Sequence, residues 1–379
     1  MDLKKTHLYE YHKEHGNLVD FGGFAMPVWF EGIIPEHHAV RNAVGIFDTS
    51  HMGRTMAEGR EVEKFLNYVV TNNASDLEPM KGLYTVMCNP RGGIVDDLIF
   101  YKLADDKFFI VYNASNREKD FAWLKKHSKG FDVRLSDISD EVAMIAVQGP
   151  RAVEAIQKIC AEPISEIDRF QLAHVHLCGF EAMMARTGYT GEDGFELFIL
   201  DTPLSSPEKA LKVWNDLLEA GAEFGIKPIG LGARDSLRLE AGLSLYGNDI
   251  DDETNPLEAR LRWVVKFKKP GTFIGKEALL KVIEEGVKRT RVGIMMEERG
   301  IPRHGYEIWD GDEPIGAVTS GGLSPTLGVG IALGYVPTAY SKLGTPVRIK
   351  IRSRLAKGNI VKSHPFYDES KYGWKREKV

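Results

Sequence analysis

The stretch that decides the fold spans residues 83–112 and reads LYTVMCNPRGGIVDDLIFYKLADDKFFIVY. Apolar and aromatic runs occupy 83–88, 94–103 and 107–112, and such residues favour strands. The first two runs are separated by Asn89-Pro-Arg-Gly-Gly93, which is a strong turn signal. The pattern therefore predicts an antiparallel meander of three strands.

Two adjacent carboxylates, Asp96 and Asp97, stand near the start of the middle strand of this meander. Side chains alternate between the two faces of a strand, so only one of the two lies on the same face as Ile99. The other shares its face with Leu98 and Phe100. A carboxylate on an apolar strand costs free energy unless it is hydrogen-bonded or functional. A functional role and a strand-end Asp that caps its own turn fit this pattern equally well.

Outside the meander, helical and strand patterns alternate irregularly up to about residue 290. Strands are predicted at 142–147, 180–186 and 195–200. After residue 290 the chain consists of short strands broken by Gly and Pro, which predicts a separate small β-domain. We place the junction at the charged segment 266–271.

A second candidate site is the loop Arg186-Thr-Gly-Tyr-Thr-Gly-Glu-Asp-Gly-Phe-Glu196, which holds three glycines in seven residues. Loops of this kind are tightly shaped and often carry function. The face of Tyr189 and the carboxylate of Glu196 suit a flat aromatic ligand with N–H donors along one edge, and a pterin is such a ligand. A plain hairpin with a surface glutamate explains these residues equally well.

A third candidate is the segment 230–248, in which Arg234 and Arg238 lie one helical turn apart. A planar guanidinium suits carboxylates and carbonyls, and it stacks on aromatic rings. An ordinary salt bridge with Asp235 or Glu240 is the simpler interpretation, and the spacing alone favours it.

The composition argues against several classes of protein. The 379 residues carry a net charge of −5, which does not indicate a nucleic-acid binder. No apolar run approaches about 18 residues, so we expect no membrane span, and the N-terminus lacks the apolar core of a secretory signal. Cys88, Cys160 and Cys178 form neither a disulfide nor a zinc pattern. These features indicate a reducing compartment, and we predict a cytoplasmic location.

Several suggestive segments carry no predicted chemistry. The segments 230–235 and 271–277 resemble nucleotide-binding loops but lack the third glycine and the terminal Ser or Thr that those motifs need. The adjacent His37 and His38 lack the spacing of a metal site, so no metal is expected. The basic cluster Lys375-Arg-Glu-Lys378 predicts a frayed, solvated tail.

Six motifs, in order along the chain, together resemble the glycine cleavage T-protein family. They lie at residues 37–52, 113–120, 146–150, 186–196, 230–247 and 319–328. The resemblance spans residues 6–370. It implies an α+β fold: a three-domain cloverleaf with antiparallel sheets and a C-terminal barrel-like domain around a central folate cavity. The implied domains are 1–50 plus 140–265, then 51–139, and finally 275–379.

The resemblance also implies an activity. An aminomethyl group on the lipoyl arm of the H-protein would pass to tetrahydrofolate with release of ammonia, and neither nucleic acid nor membrane would take part. Carried over to matching positions, Asp97 corresponds to the catalytic aspartate, a choice that strand alternation left open. The positions that line the folate site are Met52, Tyr84, Asp97, Tyr189, Glu196, Arg234 and Trp263.

Two other functions remain open within the same superfamily. One is a folate-dependent demethylase of the same fold that acts on a small methylated compound. The other is a non-catalytic folate-binding protein. Proteins of that second type carry a Lys-Gly-Cys-Tyr-type signature, and the comparable segment 243–248 has no cysteine.

Overall fold

The computed structural model describes residues 3–376 of the chain. The strands are β1 Asn17–Phe21, β2 Phe24–Trp29, β3 Val44–Asp48, β4 Gly53–Glu58, β5 Gly82–Cys88, β6 Ile94–Ala104, β7 Lys107–Tyr112, β8 Arg134–Asp137, β9 Ala143–Gln148, β10 Leu172–Leu177, β11 Phe180–Ala185, β12 Gly194–Ile199, β13 Ile226–Pro228, β14 Arg289–Met296, β15 Glu307–Asp310, β16 Glu313–Leu323, β17 Gly330–Pro337, β18 Pro346–Ile351 and β19 Arg354–Val361. The helices are α1 Tyr9–His15, α2 Ile33–Asn42, α3 Val62–Val69, α4 Arg117–His127, α5 Ala152–Gln157, α6 Glu208–Ala220, α7 Leu231–Glu240 and α8 Lys276–Glu285.

The predicted meander is confirmed as the first three strands of a five-stranded sheet, in the order β5-β6-β7-β4-β8. All its neighbouring strands are antiparallel. One face packs under α3 and α4, where Phe65, Leu66 and Leu124 meet Phe100 and Phe108 of the sheet. These side chains are almost fully buried, so the apolar runs form strands because one face of each strand closes a core.

A second sheet has six strands in the order β10-β11-β12-β9-β3-β13, antiparallel except for the parallel pair β13–β3. Its outer face packs against α1, α5 and α6, with Trp214 fully buried. The opposite face meets the five-stranded sheet in an apolar layer. There Phe109 and Phe198 meet edge to face, with 4.9 Å between ring centres, next to Tyr101 and Met183. We call this the inter-sheet layer.

The C-terminal β-domain is a closed antiparallel barrel in the order β14-β17-β16-β15-β18-β19. Its core contains Ile294, Ile308, Val318 and Ile349. This confirms the predicted β-domain and the barrel. Strands β15 and β19 have little apolar signal in the sequence, because polar residues occupy their exposed positions. The boundaries of the three domains stay a prediction.

Three further observations concern residues 3–376 alone. No helix there combines the length and the apolar character needed to cross a bilayer. No group of three or more His, Cys, Asp or Glu side chains is arranged to hold a metal ion in this part of the chain. The three cysteines are free thiols.

Candidate active site

The structure separates the two adjacent aspartates onto different faces of β6. Asp96 shares its face with Phe100 and points into the core under α3 and α4. Asp97 shares its face with Ile99 and Tyr101, which both pack in the inter-sheet layer. Asp97 therefore points between the two sheets.

The Asp97 carboxylate is held by two donors. The hydroxyl of Tyr84 donates to Oδ2 at 2.9 Å, and the side-chain amide of Asn113 donates to Oδ1 at 2.9 Å. The same amide also donates to Oδ1 of Asp96 at 2.9 Å. One asparagine therefore bridges both carboxylates. Asn113 was not among the predicted site residues, because its contact depends on the register of β7 against β6.

Burial raises the pKa of Asp97 to about 7, and the neighbouring charge of Asp96 adds to the rise. The hydrogen bonds from Tyr84 and Asn113 lower this pKa but do not offset burial. Asp97 consequently changes its charge near neutral pH. A carboxyl group poised in this way is typical of acid–base or electrostatic catalysis.

Tyr84 connects Asp97 to an exposed aromatic ring. Trp263 lies in a short 3-10 turn at Arg262–Val264, and its ring stacks on Tyr84 with 5.7 Å between centres and 22° between planes. The side chain of Trp263 is 56% exposed. Burial keeps the pKa of Tyr84 well above its usual value, so the hydroxyl remains a donor. A planar group can therefore find an aromatic face next to the Asp97 carboxylate.

Glu196 faces the same inter-sheet layer as Asp97. It shares a face of β12 with Phe198, and its Oε2 accepts a hydrogen bond of 2.5 Å from the Thr187 hydroxyl. That hydroxyl lies 3.0 Å from the hydroxyl of Tyr101 on β6. Glu196 is half-buried, and burial raises its pKa, so it is not a freely exposed surface glutamate. Tyr101 and Asp97 are four residues apart on β6, which is about 13 Å along the strand. Glu196 is therefore linked, through Thr187, to the strand that carries Asp97.

The glycines of the loop before Glu196 are required by close packing. A Cβ at Gly188 would overlap the side-chain amide of Gln148. Gly191 has φ of +79°, and a Cβ there would overlap the hydroxyl of Tyr367. The loop is therefore fixed on both sides, which holds Tyr189 in place.

Arg234 lies against Tyr189, with its guanidinium carbon 5.2 Å from the ring centre. Its Nη1 donates to Nε2 of His51 at 3.2 Å. Burial lowers the pKa of His51 to about 3, and the charge of Arg234 lowers it further, so the imidazole is a neutral acceptor. No carboxylate within residues 3–376 forms a salt bridge with Arg234. The predicted salt bridge is therefore wrong for this residue.

Arg238, one turn along α7, does form the predicted ion pair. It donates to Asp235 at 2.8 Å and to Asp249 at 2.7 Å, and it is almost fully buried. The two arginines share a sequence pattern but differ in their partners. Arg234 keeps its donors available for another acceptor, whereas Arg238 fastens α7 to the loop that carries Asp249.

Met52 packs against the edge of the inter-sheet layer from the turn between β3 and β4. Met52 thus contacts this layer, and Asp97 and Glu196 lie on the strand faces that border it. Tyr84 with Trp263 and Tyr189 with Arg234 form two aromatic pairs nearby. Two open surface grooves, of about 650 Å³ beside Tyr11 and about 380 Å³ beside Phe267, contain none of the predicted site residues.

The predicted solvated C-terminal tail is wrong for Arg376. Its guanidinium donates to the buried carboxylate of Glu192 and to the backbone carbonyl of Arg41 at 3.1 Å. A buried carboxylate attracts a cation, and this outweighs the fraying expected of a chain end. Glu377 and Lys378 of the same cluster lie outside the described residues.

Comparison with known proteins gives a consistent result. Residues 8–269 match the family model for the GCVT N-terminal domain, and residues 289–368 match the glycine cleavage T-protein C-terminal barrel domain. An aminomethyltransferase of Thermoanaerobacter sp. (strain X514) is 49% identical over 97% of this chain and 99% of its own length. One from Halothermothrix orenii is 48% identical over 95% and 99%.

A solved structure agrees with these sequence relatives. The glycine cleavage system aminomethyltransferase T from Bartonella henselae has a TM-score of 0.89 and 35% identity, and the match covers 98% of this chain and 100% of that one. The chain therefore belongs to the glycine cleavage T-protein family, and its activity is that of an aminomethyltransferase.

Proposed function

We propose that the chain transfers the methylene of an aminomethyl group from the lipoyl arm of the H-protein to tetrahydrofolate, with release of ammonia. The observation that carries this proposal is the placement of Asp97. Its carboxylate, with a pKa of about 7, faces the inter-sheet layer that also receives Glu196. Membership of the family supplies the context of the H-protein and folate, and the cytoplasmic location stays a prediction.

The side chains available around this layer fit a reduced pterin. Oε1 of Glu196 accepts no hydrogen bond from residues 3–376, so it can receive the N–H donors along the pterin edge. Arg234 retains donors for a carbonyl or carboxylate. The rings of Tyr189 and Trp263 offer faces for stacking, and Met52 adds an apolar wall.

In the proposed mechanism, tetrahydrofolate supplies the amine that accepts the methylene. The aromatic faces and Glu196 hold that amine close to the incoming carbon, and proximity of this kind can provide much of the rate. Positive charge develops on the methylene carbon as ammonia leaves. The Asp97 carboxylate stabilises this charge and orients or activates the amine, and its pKa near neutrality suits it to accept a proton from that amine. In the product, two bonds from the methylene carbon to folate nitrogens replace its bonds to nitrogen and sulfur, and the lipoyl arm leaves as a thiol.

The two alternatives have less support. Several relatives that are 46–49% identical over nearly the full length are aminomethyltransferases, which does not favour a demethylase of small methylated compounds. A non-catalytic folate binder would have no need of a buried carboxyl with a raised pKa in the site, because burying such a charge costs free energy.

The direct test is a methylenetetrahydrofolate assay with aminomethylated, lipoylated H-protein. We expect turnover that requires both the loaded H-protein and tetrahydrofolate. The matched comparison replaces the H-protein with small N-methyl donors at equal concentration. Turnover with the small donors but not with the H-protein would overturn the proposal in favour of a demethylase. Folate binding without either turnover would favour the non-catalytic alternative.

A further inference from the structure

A third buried carboxyl lies behind the two aspartates of β6. Asp120, on α4, is completely buried, and neither of its oxygens receives a hydrogen bond from a donor among residues 3–376. An ionised carboxylate in such a place would carry a large desolvation cost without a compensating hydrogen bond. Burial and the neighbouring Asp96 hold the pKa of Asp120 well above its ordinary value, which agrees with a neutral group.

A neutral carboxyl is a hydrogen-bond donor and therefore needs an acceptor. Asp120 lies one helical turn before Leu124, which packs over the face of β6 that carries Asp96, and a side-chain hydrogen bond with Asp96 raises the pKa of Asp120. Asp96 is itself completely buried, and both of its recorded donors belong to Asn113: the backbone N–H to Oδ2 at 3.2 Å and the side-chain amide to Oδ1 at 2.9 Å. It can therefore accept a third hydrogen bond from Asp120.

The nearest ammonium group does not neutralise this cluster. Lys119 donates to the carbonyl of Val95 at 2.6 Å and to the hydroxyl of Tyr246 at 2.7 Å, and it forms no salt bridge with Asp96, Asp97 or Asp120. The other titratable or charged groups around the three carboxyls are Tyr84 on β5, Tyr112 on β7, Arg117 on α4, and Tyr189, Tyr246 and Asp252 on loops.

We propose that Asp120 is a neutral carboxylic acid that donates a hydrogen bond to the Asp96 carboxylate, and that this hydrogen bond holds the Asp96 carboxylate in place beside Asp97. Asp120 is thus a positioning residue that acts through Asp96 on the charge state of Asp97. The inference rests on the proposed function only for the role of Asp97 in turnover.

The direction in which the pKa of Asp97 moves follows from which carboxyl donates to which: Asp120 donates to Asp96, and Asp96 lies beside Asp97. Without a donor from Asp120, the Asp96 carboxylate is held by Asn113 alone among the described residues and can turn away from Asp97. The charge of Asp96 raises the pKa of Asp97, so the pKa of Asp97 falls when that charge moves farther away. The pH at which kcat/KM declines on the acid side should then move down, by about one unit or more. In Asp120→Asn, the amide can donate to Asp96 without carrying a titratable proton. The decline of kcat/KM on the acid side, which we call the acid limb, should then stay at the same pH as in the native chain.

The first measurement is infrared difference spectroscopy of the unliganded full chain near pH 7.5. We expect Asp120→Asn to remove the C=O stretch of a buried neutral carboxylic acid. The matched control, Asp106→Asn, changes an exposed aspartate and should remove no such band. Asp97 and Glu196 can contribute such bands too, so the test is the loss of intensity relative to the native chain. Undiminished carboxylic-acid intensity in Asp120→Asn would show that Asp120 is ionised and would overturn the inference. This readout needs no turnover, so it can fail or succeed independently of the proposed function.

The second measurement compares pH profiles of kcat/KM. We expect the acid limb to move to lower pH in Asp120→Ala and to stay in place in Asp120→Asn. An unshifted or upward-shifted limb in Asp120→Ala would overturn the link from Asp120 to Asp97. If Asp120→Ala does not fold, Asp120→Leu has a similarly branched side chain without a hydrogen-bond donor and serves for the same comparison. A purely structural role would lower the stability of these variants without moving the limb.

Discussion

Two buried clusters of titratable side chains in this molecule differ in their balance of charge. In the first, the guanidinium of Arg41 pairs with Glu192 at 2.9 Å and with Glu240 at 3.0 Å, and His37 lies 3.1 Å from Glu240. In the second, Asp96, Asp97 and Asp120 lie together, and no cation within residues 3–376 forms a salt bridge with them. The first cluster is matched in charge, and the second is not.

The difference shows in the ionisation of the carboxyl groups. Although burial opposes it, the hydrogen bond from His37 and the charge of Arg41 lower the pKa of Glu240 to about 2, so this carboxylate is charged at every physiological pH. Burial instead raises the pKa of Asp97 to about 7. A cluster of paired charges keeps its carboxylates ionised and contributes to stability. A cluster without a cation can hold a carboxyl group whose pKa is near neutral, so that its charge changes at physiological pH. We therefore expect substitutions in the first cluster to affect stability and those in the second to affect turnover.

The largest expected effect is that of Asp97→Asn on turnover. The amide keeps the shape of the side chain but cannot stabilise positive charge or transfer a proton, so kcat should fall by about 10²- to 10⁴-fold. Folate binding, measured by calorimetry, should change little because Glu196 and the aromatic faces remain. Unchanged turnover would remove Asp97 from the mechanism.

In the matched cluster, Arg41→Ala should lower the free energy of unfolding by about 3–5 kcal/mol, because it leaves the buried Glu240 without its arginine and Glu192 with Arg376 as its remaining cation. Urea denaturation measures this loss. Arg60→Ala removes an exposed pair with Asp132 and should change stability little. Equal losses in the two variants would contradict the distinction between matched and surface charges.

The sequence predicted the parts of this picture that depend on local pattern. The meander 83–112 follows from strand-forming runs and one turn signal, and the candidate Asp96–Asp97 pair follows from its place on an apolar strand. The buried position of Asp120 had a signal too, because it lies one helical turn before Leu124, which is fully buried. That signal indicates burial, but it does not tell which carboxyl lies opposite.

The parts that could not be predicted depend on contacts between distant segments. The role of Asn113 requires the register of β7 on β6. Arg238 forms an ion pair with Asp249, which lies in a loop beyond the helix, whereas Arg234 does not reach it. The attachment of Arg376 depends on Glu192, almost two hundred residues earlier. Spacing along a chain does not determine such pairings, because the fold brings them together.

A smaller effect is expected at the other end of the inter-sheet layer. Glu196→Ala removes a charged acceptor from the proposed pterin edge, and such hydrogen bonds contribute about 1.5–3 kcal/mol. The dissociation constant for tetrahydrofolate should rise by about 10- to 150-fold in calorimetric titration. Glu181→Ala, on the exposed side of neighbouring β11, is the matched control and should leave binding unaltered. Equal affinity in both variants would place the pterin elsewhere.

The smallest effect is a shift in the pH profile caused by Tyr84→Phe. The Tyr84 hydroxyl donates to Asp97 and lowers the pKa of that carboxyl, so its loss should raise this pKa. The active form is the carboxylate, which is present above the pKa and is lost as the pH falls through it. The acid limb of kcat/KM, expected near pH 7 in the native chain, should therefore move upward by up to about one unit.

This shift runs opposite to the one expected for Asp120→Ala, although both substitutions remove a hydrogen-bond donor. Tyr84 donates to Asp97 itself, whereas Asp120 donates to the neighbour whose charge repels Asp97. General loosening of the site would move both limbs in the same direction. Limbs that move apart in the two variants, measured with the same H-protein and folate, would require that the charge of Asp96 is the link between α4 and the reacting carboxylate.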